Sequence, residues 1–286
     1  MAGVPVAQRP PAARHAPVTQ FEVLPFERVV EQARALPPTR LTVTSSPRLG
    51  PDQTIEFALR LAALGHTVVP HLAARMVRDR RHLRELLERL QAGGLDELFV
   101  IGGDSPRPAG EFDAALPVLE LIRSHPHSVR VLGIAAYPEG HPLIDEPTLR
   151  EQLARKSRLA DYMVTQMTFD PRTLLDWLAD TRARGIGLPV RLGLPGVVER
   201  RRLLEVSMRI GVGPSLRFVR KQRGLRELLL RRPALVADRL FDAVAPHVQA
   251  RALGMEGFHY FTLNQLSETW SWEREKHMTH KEAQKQ

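Results

Sequence analysis

The chain has 286 residues, 43% of them hydrophobic, enough for a large buried core in one barrel or two smaller domains. It has no cysteine, which excludes disulfides, thiolate metal sites and a thiol nucleophile, and no apolar run near the roughly 20 residues of a membrane-spanning helix. The net charge of +9 is lopsided: twelve Arg or Lys face four acids over residues 199–239, and no nucleic-acid-binding motif accompanies them.

Residues 1–18 are rich in Ala and Pro and lack the apolar core of a secretory signal, so they read as a disordered lead-in to a cytoplasmic protein. Short apolar or β-branched runs then recur at 21–24, 41–44, 67–69, 98–101, 129–134, 162–165, 190–194 and 258–262. Amphipathic stretches of helical period lie between them. Ile55, Leu59, Ala62 and Ala63 share one face of the second; Leu83, Leu86, Leu87 and Leu90 line the third. Leu116, Leu119 and Ile122 line the fourth, and Leu174, Leu175 and Leu178 the sixth. Eight strands alternating with helices predict a single α/β barrel of the (β/α)8 type over 19–273. About 63 residues separate the last two strands, which predicts helices at 200–210, 225–230 and 233–251, an inserted helical pair among them. A final helix over 270–286 frays into a charged tail at 274–286.

Several familiar motifs are absent. Gly211-Val212-Gly213 lacks the third glycine of a dinucleotide fingerprint, and no Walker A, H-E-x-x-H or G-x-S-x-G occurs. His277 and His280 have no carboxylate companions and read as solvent-exposed rather than metal-binding, so no metal is expected. Chemistry therefore has to come from the strand ends.

Glu22 sits inside an apolar strand, where desolvation would raise its pKa and suit it to general-acid work; the other reading is an ordinary acid beside a basic neighbour. Asp104 follows Gly102-Gly103 at the end of the fourth strand, where the glycines allow a ligand close to the backbone, or where the aspartate simply sets a turn. Gln166 ends the sixth strand and could bond a heterocycle edge as donor and acceptor. Tyr137-Pro138-Glu139-Gly140-His141-Pro142 ends the fifth strand, and Pro70-His71-Leu72 the third. Two histidines at strand ends of one barrel face the same rim.

These blocks resemble the methylenetetrahydrofolate reductase family. The resemblance runs from about residue 20 to 270 and rests on Phe21-Glu22, Val43-Thr44, Pro70-His71-Leu72, Gly103-Asp104-Ser105-Pro106, the 136–142 block, Thr165-Gln166 with Phe169-Asp170, and Phe258-His259-Tyr260-Phe261-Thr262-Leu263-Asn264. It implies a TIM barrel that reduces 5,10-methylenetetrahydrofolate to 5-methyltetrahydrofolate with NADH or NADPH, normally through FAD. It further implies Glu22 as the acid toward N10, with Asp104 and Gln166 against the pterin. Thr44, His71, Gly103, Tyr137 and His141 would line the flavin and nicotinamide pocket. No 2′-phosphate site distinguishes NADPH from NADH.

The chain departs from this family at four places. Gly102 stands where an arginine usually precedes the glycine-aspartate pair. Arg150 falls at a flavin-contact aspartate position, with Asp145 and Glu146 a few residues earlier. The family's lysine survives as Lys156, beside Arg155, one residue short of the usual spacing to Gln166. Gln265 replaces an arginine that contacts folate. The departures imply weak or no FAD binding, with the nicotinamide in the vacated pocket; the conservative reading has Lys156, Arg155 or Arg150 supplying the missing contacts. The basic cluster Arg217, Arg220, Lys221, Arg223 and Arg226 could steer an acidic polyglutamate tail, or be a solvated helix face. Two further readings stay open: a non-catalytic folate-binding or regulatory barrel, and an enzyme on another tetrahydropterin carrier. The expected partner is a small molecule, with no nucleic acid or membrane; oligomeric state is left open.

Overall fold

In the computed structural model, residues 16–46, 48–199 and 234–283 are described. The residues 1–15, the helical patterns between 200 and 230 and the basic cluster at 217–226 lie outside them. The strands are β1 (Val18–Val23), β2 (Arg40–Val43), β3 (Thr67–Ala73), β4 (Glu97–Ile101), β5 (Val131–Ala136), β6 (Tyr162–Thr165), β7 (Val190–Pro195) and β8 (Met255–Phe261). They pair in parallel in chain order, and β8 closes on β1. The barrel expected from the alternation is therefore present.

The helices among the described residues are α1 (Glu27–Arg34), α2 (Gly50–Ala62), α3 (Arg80–Ala92), α4 (Ala115–Ser124), α5 (Glu146–Lys156), α6 (Pro171–Ala183), α7 (Ala234–Gln249) and α8 (Leu266–Ala283). Three start on aspartate caps. Asp79, Asp145 and Asp170 accept the backbone N–H of His82, Thr148 and Arg172, satisfying donors that a helix start leaves open. The leucine faces of α3 and α4 are buried as their spacing predicts, and in α6 Leu174 and Leu178 are buried with Leu175 half-buried. In α2 the face is turned: Ile55, Ala58 and Leu61 are buried with Phe57, while Ala63 is exposed. Phe57 is the larger apolar group, and its burial sets the rotation.

Alternation divides the strands. Phe258 and Tyr260 point outward, where Phe258 meets Phe241 of α7 and Tyr260 meets Trp272 of α8. The inward positions are partly apolar, with Val69, Phe99, Tyr162 and Val164 packed together. They are also unexpectedly polar: Gln20, His71, Glu97, Arg191 and His259 are all buried. The α8 helix starts four residues before the expected 270. His277 is half-buried rather than fully solvent-exposed, because its ring packs on Phe241 and Phe258, and it has a carboxylate companion, with Glu273 Oε1 2.8 Å away. Among the described residues no helix is long and apolar enough to cross a membrane, and no group of three His, Asp or Glu is placed to hold a metal.

Candidate active site

Parallel strands deliver their C-terminal ends to one rim, and Glu22 lies at that end of β1. Residues i and i+2 of a strand face the same way, so Gln20 and Glu22 both look into the barrel. Glu22 Oε2 is 3.2 Å from His259 Nε2 and 3.9 Å from His71 Nε2. Its side chain is 16% exposed, so one part of the carboxyl remains open to the pocket. Burial pushes its pKa up, as expected, but the bond with His259 and the nearby imidazoles outweigh it, and the net result lies below the ordinary glutamate value. Burial holds His71 down at about 4, so near pH 7 its charge is absent and the His259 bond is what opposes burial at Glu22. The raised pKa expected from burial alone is thus overturned where the imidazoles carry charge.

The end of β8 latches this acid in place. Thr262 Oγ1 donates to the Glu22 carbonyl at 2.6 Å, and Asn264 Oδ1 accepts the Leu24 N–H at 2.7 Å. Asn264 achieves this with φ +66°, a left-handed conformation that asparagine tolerates better than most residues. Gln32 of α1 bonds the Asn264 carbonyl and accepts the N–H groups of Leu266 and Ser267. The histidine-to-asparagine block therefore grips β1 by the Glu22 side chain, the Glu22 carbonyl and the amide of Leu24 two residues on.

The β4 loop brings Asp104 to the rim, where it is exposed. Gly103 has φ +91°, and a Cβ there would sit 2.8 Å from Ala73 Cβ, so glycine is required on both counts. The loop is pinned by Arg75, in the 3₁₀ turn Ala74–Met76 after β3. Its guanidinium donates to the carbonyls of Ser105, Pro106 and Asp113 at 2.7, 3.0 and 3.0 Å. Asp104 lies close enough to Tyr137 and His141 for its charge to act on both: it adds to the burial that pushes Tyr137 up to about 12, and opposes the burial that lowers His141. The Tyr137 and His141 rings meet edge to face at 5.2 Å. His141 Nδ1 accepts the Leu143 N–H.

The remaining candidates are spread more widely. Thr44 and Gln166 are half-buried at the ends of β2 and β6, tied through their backbone N–H to Val23 and Ala136. His71 lies within β3 rather than beyond it, against Phe99. Gln265 Oε1 accepts the Glu199 N–H and so tethers the segment after β7. Lys156 is the last residue of α5; burial pulls its ammonium down to about 8. Arg150 pairs with Glu146, and Arg155 with Glu151 and with Glu120 of α4. A Cβ on Gly102 would meet nothing within 4 Å. Sequence reasoning passed over Gln20 and Arg191. Arg191 was legible as a polar residue inside the apolar run 190–194, whereas Gln20 lay one residue before the expected first strand.

The fold and site together define a closed (β/α)8 barrel that carries a buried acid–imidazole pair, Glu22 and His259, at its C-terminal rim. Residues 18–207 match the family model described as methylenetetrahydrofolate reductase, and the chain belongs to that family. It is similar to methylenetetrahydrofolate reductase 2 of Saccharomyces cerevisiae, 26% identical over 156 residues that cover 51% of this chain and 24% of the relative. The methylenetetrahydrofolate reductase (NADH) 1 of Arabidopsis thaliana is 28% identical over 130 residues, 39% of this chain and 22% of that protein. The probable methylenetetrahydrofolate reductase (NADPH) of Caenorhabditis elegans is 30% identical over 121 residues, 39% and 17%. The matched regions thus span at most about a quarter of these relatives' length.

Proposed function

We propose that this chain reduces 5,10-methylenetetrahydrofolate to 5-methyltetrahydrofolate with NADH or NADPH. The carrying observation is Glu22, at the rim end of β1 and bonded to His259, in a chain of this family. In the proposed reaction Glu22 gives its proton to N10, the five-membered ring opens, and the N5 iminium accepts hydride from the nicotinamide to become a methyl group. The carboxylate left behind regains a proton from solvent. Asp104 places negative charge where the iminium forms, and Gln166 bonds the pterin edge. Relatives named for NADH and for NADPH support a nicotinamide reductant without choosing between them. The test is oxidation of NADH or NADPH by the purified chain, strictly dependent on methylenetetrahydrofolate; oxidation at the same rate without folate would overturn the reading.

The finer reading is direct hydride transfer without tightly bound FAD. The residues present fit the flavin phosphates poorly. Gly102 offers no cation, and Arg150 and Arg155 are engaged by carboxylates of α4 and α5. Lys156, the remaining candidate, lies at the end of α5 that leads away from the rim. The purified protein should show no flavin absorption near one equivalent, and such a band would overturn this version. Because the space beside Gly102 is open, Gly102→Arg should fold normally. It should tighten FAD binding by about 10-fold or more, the worth of one charge-assisted anion contact, in a fluorescence titration.

A further inference from the structure

We infer that Gln20 is a positioning residue that locks His259 in the neutral tautomer whose Nε2–H is donated to Glu22. The inference rests on the reading of Glu22 as the acid only for its kinetic consequence; the tautomer follows from hydrogen-bond bookkeeping alone. Arg191 Nη1 lies 2.8 Å from Gln20 Oε1, and Arg40 Nε lies 3.4 Å from it. Guanidinium groups only donate, so the atom facing them must be the amide oxygen. The amide nitrogen is then the atom 2.7 Å from His259 Nδ1. An amide NH₂ also only donates, so Nδ1 must present its lone pair. A neutral imidazole carries one N–H, and it therefore sits on Nε2, facing Glu22 Oε2 at 3.2 Å.

The same chain of bonds excludes imidazolium, since both ring nitrogens would then be donors and Nδ1 would meet the amide NH₂. Gln20 cannot flip to relieve this without turning its NH₂ onto two guanidiniums. Gln20 is fully buried and His259 is 1% exposed, so water does not substitute for either partner. The charged and titratable groups around the pair are Arg40 of β2, His71 of β3, Glu97 of β4, Tyr162 of β6, Arg191 of β7 and Glu256 of β8. Arg191 bonds Glu97 at 3.1 Å and Glu256 at 2.8 Å, and Arg40 also pairs with Glu97, so the two cations and two carboxylates balance. The consequence is a division of labour on Glu22. One oxygen is held by a fixed donor, and the acid proton is left to the other. When that proton departs to the substrate, the new carboxylate already has its hydrogen bond, with no ring rotation required.

The experiment is ¹⁵N NMR of histidine-labelled protein, with His259 assigned from the spectrum of His259→Asn, together with the pH dependence of kcat in wild type and Gln20→Glu. At pH 7 the wild type should show His259 protonated on Nε2 only. An Nδ1–H tautomer or an imidazolium would overturn the inference whatever the variant does. In Gln20→Glu the introduced carboxylate accepts from Nδ1–H and unbalances the cluster toward negative charge, so imidazolium should persist at pH 7. Glu22 then holds its proton less firmly: kcat at pH 7 should fall about tenfold, one pKa unit's worth, with KM for folate within about twofold. A variant with an unchanged His259 signal and pH profile would overturn the lock. Should Gln20→Glu not fold, the wild-type tautomer decides alone. Turnover that survives Glu22→Gln would sink the acid assignment instead, leaving the tautomer result standing.

Discussion

Glu22→Gln is expected to lower kcat by roughly 10²–10⁴-fold, the usual worth of a positioned general acid, while Kd for folate changes little. The substitution is nearly isosteric. A glutamine oxygen can still accept from His259 Nε2–H, so the latch formed by Thr262 and Asn264 keeps its geometry. What is lost is the transferable proton. The pH profile carries the sharper test. Glu22 can transfer a proton only from its neutral form, and that share shrinks as pH rises. Wild-type kcat should therefore rise as pH falls from about 8 toward 6, and the residual rate of the variant should not follow it. Stopped-flow or steady-state rates at fixed, saturating NADH measure this. A variant that keeps the wild-type slope would show that another group delivers the proton.

Stability works in the opposite direction over part of the same range. The folded-state pKa of His71 is lowered to about 4 from an ordinary value of 6.5, because burial opposes its charge. Between those values the unfolded chain binds more protons than the folded one, so stability is present above about pH 6.5 and is lost as pH falls toward 4. The favourable limb for proton transfer thus runs into the range where the barrel interior resists acid least.

The fold was readable because its signal is repetitive. Eight apolar runs separated by helical periods leave few alternatives, and the β6 boundaries agree to the residue with Tyr162–Thr165. Boundaries slipped where side-chain character misleads. β3 runs on through Pro70 and His71 to Ala73, since Pro70 still aligns with Val43 of β2 and needs no N–H of its own for the strand to continue. β1 begins at Val18 rather than 21, and that early start is what places Gln20 opposite His259. Glu22 and Asp104 were legible as polar residues closing apolar runs. The role of His259 was not, because it depends on Gln20, Arg40 and Arg191, which three different strands bring together. A one-dimensional pattern shows parity along each strand, but not which strand supplies the counter-charge.

Arg191→Met should destabilise the protein by about 3–5 kcal/mol, the range for removing one partner of a buried ion pair. Arg191 is the hub of the barrel's lower interior. Its side chain is 8% exposed, it bonds Glu97 and Glu256, and its guanidinium lies 3.6 Å from the Tyr162 ring centroid. Methionine fills much of the same space, so packing against Tyr162 survives while the charge does not. Glu97 then keeps Arg40 as its cation, and Glu256 loses its 2.8 Å partner. Urea unfolding should show the loss as a lower midpoint with an unchanged slope, and added salt should not hide it, because buried pairs are poorly screened. Adding Glu256→Gln should recover part of the loss by removing a stranded carboxylate. Arg191→Met also takes from Gln20 the shorter of its two guanidinium bonds. Turnover should therefore fall beyond what the unfolded fraction explains, measured at a temperature where the variant remains folded. A loss below about 1 kcal/mol would mean that water or Arg40 replaces the missing charge, and that the interior is far wetter than its burial implies.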